Sequence, residues 1–323
     1  MRERTFGKTG WKVSELGYGM WGMANWAGSD DKQSLESLQL AVDNGVTFFD
    51  TAWAYGEGHS ERLLAQLVKA NATKRLYTAT KIPPKNRMWP SKRGDKLEEI
   101  FPADYIRDYT RRSLENLGLD TVDLMQFHVW EDDWADDERW QRIVSDLKKE
   151  GLIRAIGISI NRWEPWNGVK TLRTRLVDAV QVIYNVFDQA PEDELFPACR
   201  ELGIGVIARV PFDEGSLTGT LTRDAKWPKG DFRNLYFSKE NLAATMDRLD
   251  ALTPLVPKGM MLPEMALRFI LTNPDVHTVI PGMRKPENVR RNLSAATAGP
   301  LHTELIKKLR PHRWDRTPTR WSH

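Results

Sequence analysis

The chain alternates short runs of apolar residues with longer segments in which apolar residues recur every three or four positions. The runs are SELGYGM (14–20), VTFFD (46–50), RLYTATK (75–81), TVDLMQFH (121–128), LIRAIGIS (152–159), VDAVQVIY (177–184), GIGVIA (203–208) and VHTVI (276–280). Strands that are buried on both faces read as near-continuous apolar runs, so these eight runs predict eight buried strands. A hairpin-like segment precedes them at residues 4–13, with its turn at Lys8-Thr9-Gly10.

The longer segments between the runs predict helices. They cover residues 31–43, 60–69, 102–117, 137–149, 192–202, 263–271 and 286–298. Several begin with a capping residue or a first-turn proline and end at Gly or Asn, as helices commonly do. Strand–helix alternation implies parallel pairing, and eight repeats in about 300 residues are typical of a (β/α)8 barrel. We therefore predict an α/β protein with one TIM-barrel domain over residues 1–323 and an N-terminal β-hairpin.

The structural alternative is an open, doubly wound sheet. That fold requires a glycine-rich phosphate turn after its first strand, and GYGMWGM matches the GxGxxG pattern poorly. Two connections, at residues 82–101 and 209–237, are longer than a barrel needs. Both follow strands, so we expect them on the C-terminal face, where barrel enzymes have their active sites. Residues 310–321 lack periodicity and predict an extended tail against the barrel wall.

Composition narrows the classes of protein that are possible. The 323 residues are 41% hydrophobic and 28% charged, which excludes a disordered chain. The 47 basic and 44 acidic side chains nearly balance, so nucleic acid is not an expected partner. No apolar run approaches the roughly 18 residues of a membrane helix. With a single cysteine and a polar N-terminus, the chain is expected to be cytoplasmic, without a membrane partner.

No metal site is expected either. The six histidines show no ligand spacing, and the acidic run EDDWADDE (131–138) lies just before a predicted helix. Acidic side chains are favourable at helix N-termini, which explains that run without an ion.

Four polar residues lie at or just beyond the ends of three successive predicted strands. Asp50 ends the second strand, Tyr55 follows five residues later, Lys81 ends the third strand and His128 ends the fourth. Any one of them alone would fit a structural role, such as capping or ion pairing. Because the carboxyl ends of barrel strands meet at one rim, the four together predict a shared cavity.

These side chains suit proton transfer to a carbonyl oxygen. A tyrosine hydroxyl, with a pKa near 10, donates its proton slowly at neutral pH. An adjacent ammonium stabilises the phenolate, so we expect Lys81 to hold the pKa of Tyr55 well below that of free tyrosine. Asp50 would keep Lys81 charged, and His128 would orient the reacting oxygen. Since protein side chains carry no hydride, the chemistry implies a nicotinamide cofactor.

Four segments resemble the motifs of the aldo-keto reductase family: FFDTAWAYGEGHSERLLAQ, TATK, LMQFH and VIPGMRKPENVRRNL. The similarity covers nearly the whole chain. By this resemblance Asp50, Tyr55, Lys81 and His128 form the catalytic tetrad, and Tyr55 is the proton donor. The resemblance implies an NADP(H)-dependent reductase of aldehydes or ketones. Two alternatives stay open: a sugar or alcohol dehydrogenase that works oxidatively, and a cofactor-binding regulatory subunit with little turnover.

The resemblance also implies a set of cofactor contacts. They are Gly19, Met20, Trp21, Asp50, Ser159, Asn161, Gln181, Arg209, Phe212, Gly215, Leu217, Gly282, Arg284, Asn288, Arg291 and Asn292. Ser159, Asn161 and Gln181 would hold the nicotinamide carboxamide, and the segment 208–219 would cross the pyrophosphate. Arg209 replaces the aromatic residue that many members stack on the nicotinamide, and a planar guanidinium can stack as well.

The preferred cofactor is expected to be NADPH. Many relatives carry a lysine and an arginine at the positions that Gly282 and Asn288 occupy here. Arg284 is then the best partner for the adenosine 2′-phosphate, at the start of a helix and with Lys285 or Arg291 as a helper.

Tryptophans follow the first four predicted barrel strands. Trp21, Trp53, Trp89 and Trp130 are therefore expected to crowd the rim, where indole rings would stack on a ring-bearing or sugar substrate. The alternative for each is packing between helices and loops. With such a small-molecule substrate as partner, a monomer or weak homo-oligomer is expected.

Overall fold

The computed structural model describes residues 1–24, 28–160 and 163–316 of the chain. Strands β1 (Glu3–Phe6) and β2 (Trp11–Ser14) form an antiparallel hairpin around the turn Gly7–Thr9. Eight parallel strands follow, each paired with its neighbour in sequence. They are β3 (Tyr18–Gly19), β4 (Phe48–Asp50), β5 (Tyr77–Ile82), β6 (Val122–Phe127), β7 (Ile153–Ser159), β8 (Ala179–Ile183), β9 (Gly205–Arg209) and β10 (Thr278–Val279).

Backbone bridges join the first and last strands and close the barrel. Leu16 pairs with Val279, and Gly19 pairs with Gly282. A Cβ atom at Gly19 would lie 2.6 Å from the carbonyl oxygen of Ile280, so glycine is needed for this approach. The predicted (β/α)8 barrel with its N-terminal hairpin is confirmed.

Helices surround the barrel. They are α1 (Asp31–Asp43), α2 (His59–Ala70), α3 (Leu97–Ile100), α4 (Ala103–Leu117), α5 (Glu138–Lys149), α6 (Val169–Arg173), α7 (Leu195–Leu202), α8 (Arg233–Tyr236), α9 (Lys239–Leu252), α10 (Leu262–Thr272), α11 (Pro286–Thr297) and α12 (Thr303–Leu309). The seven predicted segments correspond to α1, α2, α4, α5, α7, α10 and α11. Helix α9 was not predicted, because only Thr245, Leu249 and Leu252 are buried along its length and its apolar stripe is weak. None of the described helices is long and apolar enough to cross a membrane.

The barrel interior has an apolar layer below and a polar layer above. Side chains of the lower layer and the hairpin form one buried cluster: Phe6, Val13, Phe48, Tyr77, Ala79, Leu124, Ala155, Ala179, Ile207 and Ile280. Side chains alternate across a strand, so the residue two positions further along faces the same interior. In β4, β5, β6 and β8 that residue is polar: Asp50, Lys81, Gln126 and Gln181. The hairpin therefore closes the bottom, and the polar groups face the C-terminal rim.

The two long connections lie where the sequence predicts them. Residues 82–101 follow β5 and residues 209–237 follow β9, so both lie on the C-terminal side of the barrel. In the predicted tail, Arg310–His312 form a 3-10 helix instead of an extended segment, and the Trp314 backbone N–H donates to the carbonyl of Phe187 over 2.8 Å. Residues 317–321 of that prediction lie outside the described residues. This side of the molecule therefore contains both the polar layer and the segments that could cover it.

Candidate active site

The structure brings the four predicted catalytic side chains together. Lys81 and Asp50 are buried, and the Lys81 Nζ donates to Asp50 Oδ2 over 2.5 Å and to the carbonyl of Thr51 over 2.8 Å. The same ammonium lies 5.2 Å from the centre of the Tyr55 ring. The rings of Tyr55 and His128 meet edge to face, with their centres 5.6 Å apart. One cluster thus contains an acid, a cation, a hydroxyl and an imidazole.

The backbone after β4 places Tyr55 in a tight turn. Its N–H donates to the carbonyl of Ala52 over 3.0 Å, and the chain then enters helix α2 through Gly58. Gly58 has a positive φ of 84°, and a Cβ there would collide with the side chain of Asn116 at 2.2 Å. The glycine-containing sequence after Tyr55 is therefore a steric requirement of this turn.

Two glutamines complete the hydrogen bonds of the Asp50 carboxylate. Oδ1 accepts from Gln126 Nε2 over 3.0 Å and from Gln181 Nε2 over 2.8 Å, and Gln181 also donates to Gln126 Oε1 over 3.2 Å. The role of Gln126 was missed in the sequence. Its signal was a polar residue inside the apolar run TVDLMQFH, two positions before His128 and on the same face of the strand.

The pKa of Tyr55 is raised, so the prediction that it lies below that of free tyrosine is wrong. Part of the side chain is accessible, but burial around the hydroxyl is the largest cause of the raised pKa. Lys81 pulls the pKa down, Asp50 pushes it up, and Arg209 pulls it down. Burial outweighs the cations because it disfavours the charged phenolate directly. The hydroxyl is protonated at neutral pH with or without this shift, and the protonated hydroxyl is the form that a proton donor needs.

His128 is neutral at physiological pH. Burial lowers its pKa well below the ordinary value, and the positive charges of Lys81 and Arg209 lower it further. Its Nδ1 atom is buried with no hydrogen-bond partner in the described part of the chain. A neutral imidazole offers one donor and one acceptor, so His128 can hydrogen-bond a substrate oxygen without adding charge.

The predicted tryptophans divide into two groups. Trp89 is 36% exposed, and its ring centre lies 5.4 Å from that of His128. Trp21 is 46% exposed and meets Phe232 edge to face at 5.2 Å. These two can contact a ligand above the polar layer.

The other two tryptophans are structural, which corrects the prediction for Trp130 in particular. Trp130 has no exposed surface, meets Trp134 and Trp140 edge to face and Phe127 at a tilt, and donates its Nε1–H to Thr171 Oγ1 over 2.7 Å. It belongs to the core because the chain after β6 folds back over it toward α5. Trp53 is only 8% exposed and packs against Tyr109 and the Arg87 guanidinium, as the alternative interpretation expects.

The residues expected around a nicotinamide ring lie at the ends of β7, β8 and β9. Ser159 and Gln181 are register partners in neighbouring strands, and both are buried. Arg209 ends β9, is half-buried and donates from Nη2 to the carbonyl of Ile160 over 3.0 Å. Its effect on the pKa of Tyr55 and His128 shows that its charge reaches the tetrad. Asn161 lies outside the described residues.

Two of the expected contacts are fully buried instead. Met20 and Leu217 present no accessible surface and belong to the main hydrophobic cluster. Because that cluster encloses both side chains, they support the site and do not contact a ligand. Phe212 is half-buried, and Gly215 has a φ of 108° with open space beside its Cα.

The start of α11 fits an anionic group. Arg284 is half-buried and lies beside Gly22, whose carbonyl is 3.5 Å from Arg284 Nη1. In the described residues neither Arg284 nor Arg291 has a carboxylate partner, and Gly282 is exposed and open. Asn288 is half-buried and Asn292 is buried on the same helix. A guanidinium without a carboxylate partner beside a helix N-terminus, as at Arg284, is suited to a phosphate.

Comparison with known proteins agrees with this geometry. The model of the aldo/keto reductase family matches residues 15–313. The NADH-specific methylglyoxal reductase of Escherichia coli (strain K12) is 30% identical over 310 residues, which cover 91% of this chain and 93% of that protein.

Two solved structures also match over nearly their full length. The holo form of aldo-keto reductase AKR11C1 from Bacillus halodurans superimposes with a TM-score of 0.76 and 25% identity, covering all of both chains. The glycerol dehydrogenase AKR11B4 from Gluconobacter oxydans gives a TM-score of 0.75 and 27% identity, covering 94% of this chain and 92% of that one. The chain belongs to the aldo/keto reductase family and is an oxidoreductase that acts on carbonyl or alcohol groups with a nicotinamide cofactor.

Proposed function

We propose that the protein is an NADPH-dependent reductase of aldehydes or ketones in which Tyr55 donates the proton to the carbonyl oxygen. The observation that carries the proposal is the position of Lys81, whose ammonium is held between the Asp50 carboxylate and the Tyr55 ring. The cofactor would supply the hydride.

Each residue of the tetrad has a separate role in the proton transfer. Tyr55 carries a proton at neutral pH, as an ordinary tyrosine does, and burial raises its pKa further. As that proton leaves, Lys81 stabilises the phenolate, and Asp50 keeps Lys81 charged away from water. His128, neutral because its pKa is lowered, hydrogen-bonds the reacting oxygen and orients it.

NADPH is proposed over NADH because of the cations at the start of α11. Arg284 is the proposed partner of the 2′-phosphate, with Lys285 or Arg291 as a helper, and none of the three has a carboxylate partner in the described residues. The relative from Escherichia coli is named for NADH specificity, so the proposal predicts that this protein differs from it in cofactor preference. We propose further that Ser159 and Gln181 hold the carboxamide and that Arg209 stacks on the nicotinamide.

The rim favours a substrate with a ring or a sugar skeleton. Trp21 and Trp89 present exposed indole faces, and Phe232 extends the surface beside Trp21. Flat indole rings stack well on apolar rings and on the C–H faces of sugars.

Two other functions would use the same fold. Oxidation of a sugar or an alcohol is the reverse of the proposed reaction and needs the same residues. A regulatory subunit with little turnover would not need a complete proton-donating tetrad, and all four residues are assembled here.

We also propose that residues 1–323 form one domain and that the protein acts in the cytoplasm as a monomer or weak homo-oligomer. The single cysteine and the balanced charge support the cytoplasmic location.

Replacing Tyr55 with Phe removes the proton donor while keeping the ring. Turnover in carbonyl reduction should fall by about 10²–10⁴-fold, the usual contribution of general acid catalysis. The measurement is cofactor absorbance with a panel of aldehydes, ketones and sugars, with Tyr105→Phe in helix α4 as the matched control. Steady turnover that survives Tyr55→Phe unchanged would disprove the proposed donor. If the wild-type protein turned over none of these compounds, that result would favour a regulatory subunit.

Replacing Lys81 with Met tests the charge beside Tyr55. Lys81 lowers the pKa of Tyr55, so its loss should raise that pKa further and move the pH profile of alcohol oxidation to higher pH. The variant should also lose about 3–5 kcal/mol of stability, because Asp50 is left as an unpaired buried charge. In Asp50→Asn/Lys81→Met the stability should recover while turnover stays low. Near-normal rates in Lys81→Met would mean that the tetrad is misassigned.

Replacing Arg284 with Ala tests the cofactor preference. NADPH binding should weaken by about 1.5–3 kcal/mol, the scale of a hydrogen bond to a charged group, and NADH binding should barely change. Quenching of tryptophan fluorescence measures both affinities without turnover. Arg290→Ala, an exposed arginine on the same helix, is the control. Equal affinity of the wild-type protein for the two cofactors would contradict the assignment.

Replacing Trp21 or Trp89 with Ala tests the substrate rim. The KM of ring-bearing or sugar substrates should rise several-fold, since a stacked aromatic contact contributes about 0.5–1.5 kcal/mol. The KM of a short unbranched aldehyde should change less. Trp11→Ala, at a half-buried tryptophan of the hairpin that closes the opposite end of the barrel, provides the comparison. If neither rim variant changes any KM, substrate does not bind against these rings.

A further inference from the structure

A buried ion cluster connects the C-terminal segment to the loop that follows β9. Its members are Arg316 from the tail, Asp213 from the loop, Asp188 from the segment after β8, and Tyr236 from helix α8. Each of these four side chains is nearly or fully buried. We propose that Arg316 is a positioning residue that holds the loop 210–219 in the conformation that binds the cofactor.

Asp213 is the loop residue through which the cluster contacts the loop. Its Oδ1 accepts from the Tyr236 hydroxyl over 2.5 Å and from Arg316 Nη2 over 2.6 Å, while Oδ2 accepts from Ser216 Oγ over 2.6 Å. One carboxylate therefore binds the tail, helix α8 and its own loop at once. The tail residue is 103 positions away in sequence, so this contact depends entirely on the fold.

The loop needs such support because its backbone is strained. Val210, Asp213 and Glu214 have positive φ angles of 53°, 47° and 54°, which residues other than glycine rarely adopt. Val210 is β-branched, for which this region is especially unfavourable. Conformations of this kind persist only where surrounding contacts determine them, and they are common at ligand-binding loops.

Arg316 suits the task through both charge and shape. Its Nε lies 3.2 Å from Asp188 Oδ1 and its Nη2 lies 2.6 Å from Asp213 Oδ1, so one guanidinium neutralises two carboxylates. The guanidinium carbon is 4.3 Å from the Trp314 ring centre and 5.1 Å from that of Trp163. A planar, always charged group can make these ion pairs and ring contacts together, which the compact lysine ammonium cannot.

The effect on the cofactor rests on the proposed function. Residues 210–219 continue directly from Arg209, and they contain Phe212 and Gly215, which are expected beside the cofactor. A loop that is already ordered does not lose conformational entropy when the cofactor binds. Cofactor affinity should therefore depend on the contacts by which Arg316 orders the loop. Without Arg316 the two buried carboxylates would lose their shared cation, and the loop would open to hydrate Asp213.

Arg316→Met is compared with Arg313→Met, a tail variant whose arginine pairs with Asp193 and Asp315 instead of the loop. Hydrogen–deuterium exchange of peptides from residues 210–219 is measured in the cofactor-free protein, and NADPH affinity by fluorescence. In Arg316→Met the loop amides should exchange at least tenfold faster, the NADPH dissociation constant should rise at least tenfold, and exchange in β6 should not change. Arg313→Met should match the wild type in all three.

A folded Arg316→Met protein with wild-type exchange in 210–219 would overturn the proposal, and so would faster exchange with unchanged NADPH affinity. If Arg316→Met does not fold, Asp213→Asn/Arg316→Met removes the ion pair without leaving Asp213 charged. Faster loop exchange and weaker NADPH binding in that variant support the proposal, and wild-type values overturn it. Failure of the wild-type protein to bind NADPH would count against the proposed function. Because exchange is measured without cofactor, the exchange result would still decide whether Arg316 holds the loop in place.

Discussion

The buried ion pair of Lys81 and Asp50 is the interaction on which the active site depends. Removing two charges from water costs several kcal/mol per ion, and their attraction repays this only when the remaining hydrogen-bonding capacity is satisfied. Here Gln126 and Gln181 bind one carboxylate oxygen and Lys81 binds the other, while the Thr51 carbonyl accepts from the ammonium. The polar layer must therefore form as a unit, and the barrel that aligns its strands is a condition for the chemistry.

The same side-chain alternation produces both the stability of the barrel and its site. Phe48 and Asp50 are two positions apart on one strand, as are Leu124 and Gln126 on another, so each pair faces the interior. The lower member packs against the hairpin, and the upper member joins the hydrogen-bond network. The apolar floor keeps water from reaching the ion pair from below. Burial of that pair is thus a direct product of the packing beneath it.

Burial and positive charge act differently on the two titrating groups of the site. For His128 both favour the neutral form, so its pKa falls well below the ordinary value. For Tyr55 they oppose each other, and burial is the stronger, so its pKa rises. Both groups are neutral at physiological pH. Lys81 lies close enough to Tyr55 to stabilise the phenolate as it forms. A loop held by Arg316 and Asp213 would complete this arrangement on the cofactor side.

Local patterns in the sequence were sufficient for the barrel, the hairpin and seven of the helices, and they placed Asp50, Tyr55, Lys81 and His128 at strand ends. Hydrophobic periodicity and the succession of strands and helices along the chain depend on residues that are close in sequence, so the sequence alone is enough to predict them. The burial of Trp130, the network around Gln126 and the direction of the pKa of Tyr55 were decided only by the tertiary structure. Each depends on which distant residues surround a group and how much water they exclude, and no spacing along the chain records those distances.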